Sequence, residues 1–143
     1  MEQPWINEPN HLNFKIDEFE CCIKRGSLGN LNGYIKLPYD HPYYGYTLGN
    51  LDNLDINVHG GFTFSEAESN VNFLNFRNQD EEGWVIGFDF AHYTDMIPFL
   101  YKDPTQELTK DLKYWTIEEV KAQIENIVEE LRVKNIKIKE IIK

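Results

Sequence analysis

The sequence predicts an α+β domain, a mainly antiparallel β-sheet with one C-terminal amphipathic helix packed on it. Three observations carry the prediction. Stretches such as "HLNFKID" and "WVIGFDFA" alternate polar and apolar residues, the period-two pattern of half-buried strands. Clusters of Gly, Asn and Pro punctuate them as turns. One helical repeat is well signed, and it comes after the strands.

In chain order, residues 1–11 read as an irregular lead-in. "HLNFKID" and "FECCIKR" are two early strands, with Leu12, Phe14 and Ile16 alternating. "GSLGNLNG" (Gly26–Gly33) is turn chemistry, and "YIKLP" is a short strand stopped by Pro38. "YDHPYYGYTLGN" is too rich in Pro and Gly for regular structure. "DINVHGGFTFS" reads as a long strand, with Leu54, Ile56, Val58, Phe62 and Phe64 on one side. "VNFLNF" (Val71–Phe76) reads as a strand beside it, followed by the acidic turn "NQDEEG". Trp84–Ala91 forms another strand, with Trp84, Ile86, Phe88 and Phe90 towards the core.

Thr116 and Glu119 make a capping box, with Trp115 placed to staple onto Val120. Val120, Ile124, Ile127, Val128 and Leu131 then form an apolar stripe, so a helix is expected over 116–132. Residues 133–143 are a basic tail, a last strand or a frayed end.

At 143 residues, 41% hydrophobic and 14% aromatic, the chain is sized and composed as one globular domain, 1–143. The polar opening "MEQPWINEPN" predicts no secretory signal, and no apolar run approaches the roughly 18 residues of a membrane span. The adjacent Cys21 and Cys22 read as reduced thiols of a cytoplasmic protein. The net charge is −10. The last twelve residues hold five basic groups and one acidic, so residues 1–131 carry −14. Such a body repels a phosphate backbone, which argues against direct nucleic-acid binding. It leaves open an acidic surface that mimics nucleic acid and occupies a nucleic-acid-binding partner. Oligomeric state is not legible.

Chemistry concentrates in two places. On a strand, His59, Gly61, Thr63 and Ser65 share one face, and Gly60-Gly61 marks a bulge or a close ligand approach. Asp89 lies opposite the core aromatics of its own strand, with His92 and Asp95 just beyond. If the strands are neighbours, His59, Thr63, Asp89 and His92 converge. His59 or His92 is then the candidate base, with Asp89 fixing its tautomer. No cofactor is called for. The alternative is a divalent metal on His59, Asp89, His92 and Asp95, with Glu66 as a further ligand type. The second place is the tyrosine loop, where His41, Tyr43 and Tyr44 are expected to wall a pocket and stack on a flat ring. Lys24, Arg25, Lys36 and Arg77 are the cations available to a phosphate.

"LGNLNGYIKLPYDHPYYGY", "LDINVHGGFTFS" and "GWVIGFDFAHYTD", in that order, resemble a family of small uncharacterised proteins found in bacteriophages and bacterial genomes. The matching residues are Gly33, Tyr34, His41, Pro42, Tyr44, Gly45, His59, Gly60, Gly61, Thr63, Ser65, Gly87, Phe88, Asp89, His92 and Asp95. Ile35, Phe62 and Phe64 stand where the family carries Val, Leu and Tyr. The resemblance implies a phage or mobile-element origin, acting in the host cytoplasm, and brings no established activity. Joined to the polar patch, it leads to an expected small-molecule binder whose most specific ligand is a nucleotide-like immune signal. A hydrolase of such a ligand, using His59, Asp89 and His92 with or without metal, is one rival, and an acidic interaction module that blocks a host factor is the other.

Overall fold

The computed structural model describes residues 4–77, 82–100 and 110–141, with side chains to residue 135. The alternating segments pair as expected. Strand β1 (His11–Ile16) turns tightly into β2 (Phe19–Arg25), which turns into β3 (Leu31–Leu37). A long connection containing the short helix α1 (Leu48–Asp52) then leads to β4 (Phe64–Ala67). Strand β5 (Trp84–Asp89) inserts between β3 and β4, giving one antiparallel sheet among the described residues in the order β1-β2-β3-β5-β4. Helix α2 (Ile117–Ile141) closes the fold. This is the α+β architecture read from the sequence. No helix among the described residues is long and apolar enough to cross a membrane.

Helix α2 starts where the capping box places it. Thr116 Oγ1 accepts from Glu119 N–H at 3.3 Å, and Glu119 Oε1 accepts from Thr116 N–H at 3.2 Å. Glu8 adds a cap that the sequence did not announce, its Oε2 accepting from Ile117 N–H at 2.8 Å. The stripe Val120, Ile124, Ile127, Val128 and Leu131 is fully buried against Ile23, Ile35, Ile86 and Phe88 of the sheet. Tyr43, Leu51, Val58 and Phe62, from the β3–β4 connection, complete this core.

Several expectations fail, each for a physical reason. The stretch 55–65 is a strand only from Phe64. Asp55, Gly60 and Gly61 take positive φ, which breaks an extended run, while Val58 and Phe62 still reach the helix-side core from a loop. "VNFLNF" forms a 3-10 turn (Asn72–Leu74) with Asn75 left-handed. Its Val71, Leu74 and Phe76 cap the opposite face of the sheet over Cys22, Tyr34 and Val85. The sheet is therefore buried on both sides along part of its length. The helix continues through Ile141, replacing the expected strand or frayed tail, and the lead-in contains a 3-10 turn at Pro4–Asn7. Turn structure ends by Asn30, so Asn32 and Gly33 belong to β3. Residues 78–81 of the expected acidic turn, and the last two of the basic tail, lie outside the described residues.

Candidate functional site

The site forms where β5 ends. After Asp89 the chain makes two turns pinned by its own carboxylates. Asp89 Oδ1 accepts from Ala91 N–H at 3.1 Å, and Asp95 Oδ2 accepts from His92 N–H at 3.0 Å. Asp95 N–H returns to His92 O at 2.8 Å, closing the turn. Opposite it lies the turn Val58–Gly61, closed by Gly61 N–H to Val58 O at 2.9 Å, with Gly60 at φ +69° in the position that requires the left-handed region. A Cβ on Gly60 would stand 1.9 Å from His92 Nε2, so only glycine lets the imidazole seat there.

These turns bring His59 and His92 side by side, ring centroids 5.3 Å apart. Of the two expected pairings with Asp89, the one with His59 is not formed. His59 Nε2 stands 3.0 Å from both oxygens of Asp95, not against Asp89. Asp95 is 2% exposed and also accepts from Trp115 Nε1–H at 3.0 Å, so a buried carboxylate with fixed donors orients His59. The His59 ring stacks on Phe90 (4.6 Å, 11°) and tilts against Trp115 (4.7 Å). Asp89 instead accepts from Thr63 Oγ1 at 2.9 Å and lies 3.5 Å from His92 Nε2. That second contact has an ion pair's distance without a hydrogen bond's geometry, and His92 Nε2 is a buried nitrogen with no hydrogen-bond partner among the described residues.

Beside the cluster is an open groove of about 550 Å³, lined among others by Asn30, Asn32, Tyr34, Thr63, Asp89 and His92. It lies on the sheet face away from α2, because Asn32, Tyr34 and Asp89 alternate with the helix-facing Ile35 and Phe88. Tyr34 lies over Gly87, where a Cβ would meet its ring at 2.7 Å. Burial holds the Tyr34 phenol above its usual pKa, with the Asn32 side chain pulling in the opposite sense, so it remains a hydrogen-bond donor at neutral pH. Among the described residues, the lining contains neither Lys nor Arg. Lys36 is buried between Glu20 and Glu68, and Arg25 pairs with Glu8.

The other expected ligand-binding residues lie elsewhere. Trp84 and Asp89 are the two ends of β5, about 17 Å apart at roughly 3.3–3.4 Å per residue. The tyrosine loop packs at the Trp84 end. Tyr44 packs on Trp84, His41 and Tyr43 are buried in the helix-side core, and Ser65 Oγ bridges Tyr46 O and Trp84 Nε1. These contacts build the loop and do not wall the groove. Gly61, at φ +80°, faces open space.

Sequence reasoning misses Asn30, Asn32, Trp115 and Phe90 as parts of the site. The glycines around the asparagines suggest a turn, although Asn32 and Tyr34 share strand parity. Trp115 reads only as a helix staple until the fold sets it against His59.

The molecule is thus an α+β protein with paired His–Asp contacts at one end of its sheet. Comparison with protein-family models, curated proteins and solved structures finds no match to this chain.

Proposed function

We propose that the chain binds a small polar ligand in the groove at the end of β3 and β5, a nucleotide-like molecule being the most specific candidate. The observation that carries this is the groove's lining. Two amides, two hydroxyls, a carboxylate and an imidazole surround a space of about 550 Å³, within the usual range for small-molecule sites. The absence of Lys and Arg among the described residues of the lining favours contact with base and sugar over phosphate, since amides and Asp89 match the donors and acceptors of a base edge. The resemblance to phage-encoded proteins motivates immune nucleotides as the first panel to test.

Isothermal titration against such a panel should find a ligand whose affinity drops at least tenfold in Asn32→Ala and in Asp89→Ala, with melting temperature retained. A bound ligand that both variants hold as tightly as the parent chain would rule out the groove. The rival reading, a hydrolase, is favoured by the His59–Asp95 contact, since a buried carboxylate that fixes an imidazole is a recurring feature of general bases. Mass spectrometry of the ligand recovered after heat denaturation separates the two: a binder returns it intact, a hydrolase returns it cleaved.

A further inference from the structure

We propose that His59, His92 and Asp95 form a binding site for one divalent transition-metal ion. One ring nitrogen of each histidine and one Asp95 oxygen all lie within 4.8 Å of one another. Ligand atoms around one ion at roughly 2.0–2.2 Å stand about 3–3.5 Å apart. The His59–Asp95 edge, at 3.0 Å, is already at that spacing, and the His92 edges, at up to 4.8 Å, close by about 1–2 Å on binding. Two imidazoles and a carboxylate suit Zn²⁺, Mn²⁺ or Fe²⁺ better than Ca²⁺ or Mg²⁺, which take oxygen ligands.

Two further observations point the same way. His92 Nε2 is buried beside Gly60 without a hydrogen-bond partner among the described residues, an orphan donor or acceptor that an ion would satisfy. Asp95 is held by the Trp115 indole N–H and the His92 backbone N–H, the outer contacts that orient a ligating carboxylate. For the ion to take the place of the His59–Asp95 hydrogen bond, His59 ligates through Nε2 as the neutral tautomer with its proton on Nδ1, reached by exchange with solvent. Asp89 Oδ1, 3.5 Å from His92 Nε2, is a further carboxylate beside the cluster. His92 also lines the groove, so the ion would sit beside any groove ligand, but the inference does not depend on one.

The test is calorimetric titration of the untagged, chelator-treated full chain with ZnCl₂ and MnCl₂ alone. One ion per chain is expected for at least one of the two, with at least a hundredfold weaker binding in His92→Gln and in His59→Gln. The His92 side chain is 30% exposed in a surface turn, so its variant keeps the fold, checked by circular dichroism, if the other does not. His11→Gln, at the separate His11–Cys22 contact, should leave the titration unchanged. Absence of stoichiometric binding by either ion, or binding that survives His92→Gln, would overturn the proposal. Because no organic ligand is added, such a failure leaves the groove reading to its own test.

Discussion

At the scale of single residues, the site depends on one glycine more than on its neighbour. Gly60 and Gly61 both hold positive φ, which costs an L-residue about 1–2 kcal/mol. A methyl on Gly61 would have nothing within 4 Å, whereas on Gly60 it would meet the His92 ring. Gly61→Ala should therefore lose only the backbone term, and Gly60→Ala at least about 1 kcal/mol more, as read from urea midpoints. Gly60→Ala should also shift the His92 ring resonances. Equal losses in the two variants would show that His92 swings aside freely. The residue types were legible in the sequence, because a Gly-Gly pair beside a histidine suggests a close approach. The partners were not. Asp89 and Asp95 are equally plausible from spacing alone, and the buried contact with Trp115, twenty residues further on, decides for Asp95.

At the scale of elements, periodicity identifies β1, β2, β5 and the start of α2 because each buries one side continuously. It misreads 55–65, where a loop places Val58 and Phe62 in the core without any ladder, and "VNFLNF", whose Val71 and Leu74 meet one core through a 3-10 turn. The same logic hides the second cap of α2. Glu8 lies 109 residues from Ile117, and its carboxylate also accepts from Tyr114 Oη and pairs with Arg25 at 3.6 Å. Burial pushes the Tyr114 phenol well above its usual pKa, so it stays a donor to Glu8. Thr116→Ala removes one side-chain cap and should cost about 1 kcal/mol. Glu8→Ala removes the acceptor of three groups and should cost more, about 2–3 kcal/mol. Thermal melts of both variants check the order; a smaller loss for Glu8→Ala would mean that the N-terminal segment does not hold the helix.

Across the whole molecule, the sheet separates two cores, and the adjacent cysteines sample both. Cys21 faces the helix-side core and Cys22 the cap formed by Val71, Leu74 and Phe76, each with no exposed surface. The sequence shows two reduced thiols but not that they lie on opposite sides of a doubly covered sheet, because that cover comes from a turn whose pattern mimics a strand. Burial pushes both thiols up to about 12, with Cys22 and Glu20 adding to the shift at Cys21. At pH 8 both are protonated and shielded, so iodoacetamide should label neither in the folded chain and both in urea. Labelling of Cys22 alone would show that the 68–77 cap opens separately from the helix side. The same shift fixes a pH dependence. An unfolded thiol titrates near about 8.5, so between there and about 12 the unfolded chain binds fewer protons than the folded one. Stability therefore falls as pH rises through this window, by at most about 1.4 kcal/mol per pH unit for each thiol. Urea midpoints measured from pH 8 to 10 should decline for the parent chain and flatten in the Cys21→Ala/Cys22→Ala double variant. Parallel slopes for the two chains would mean that the thiols are not what burial protects.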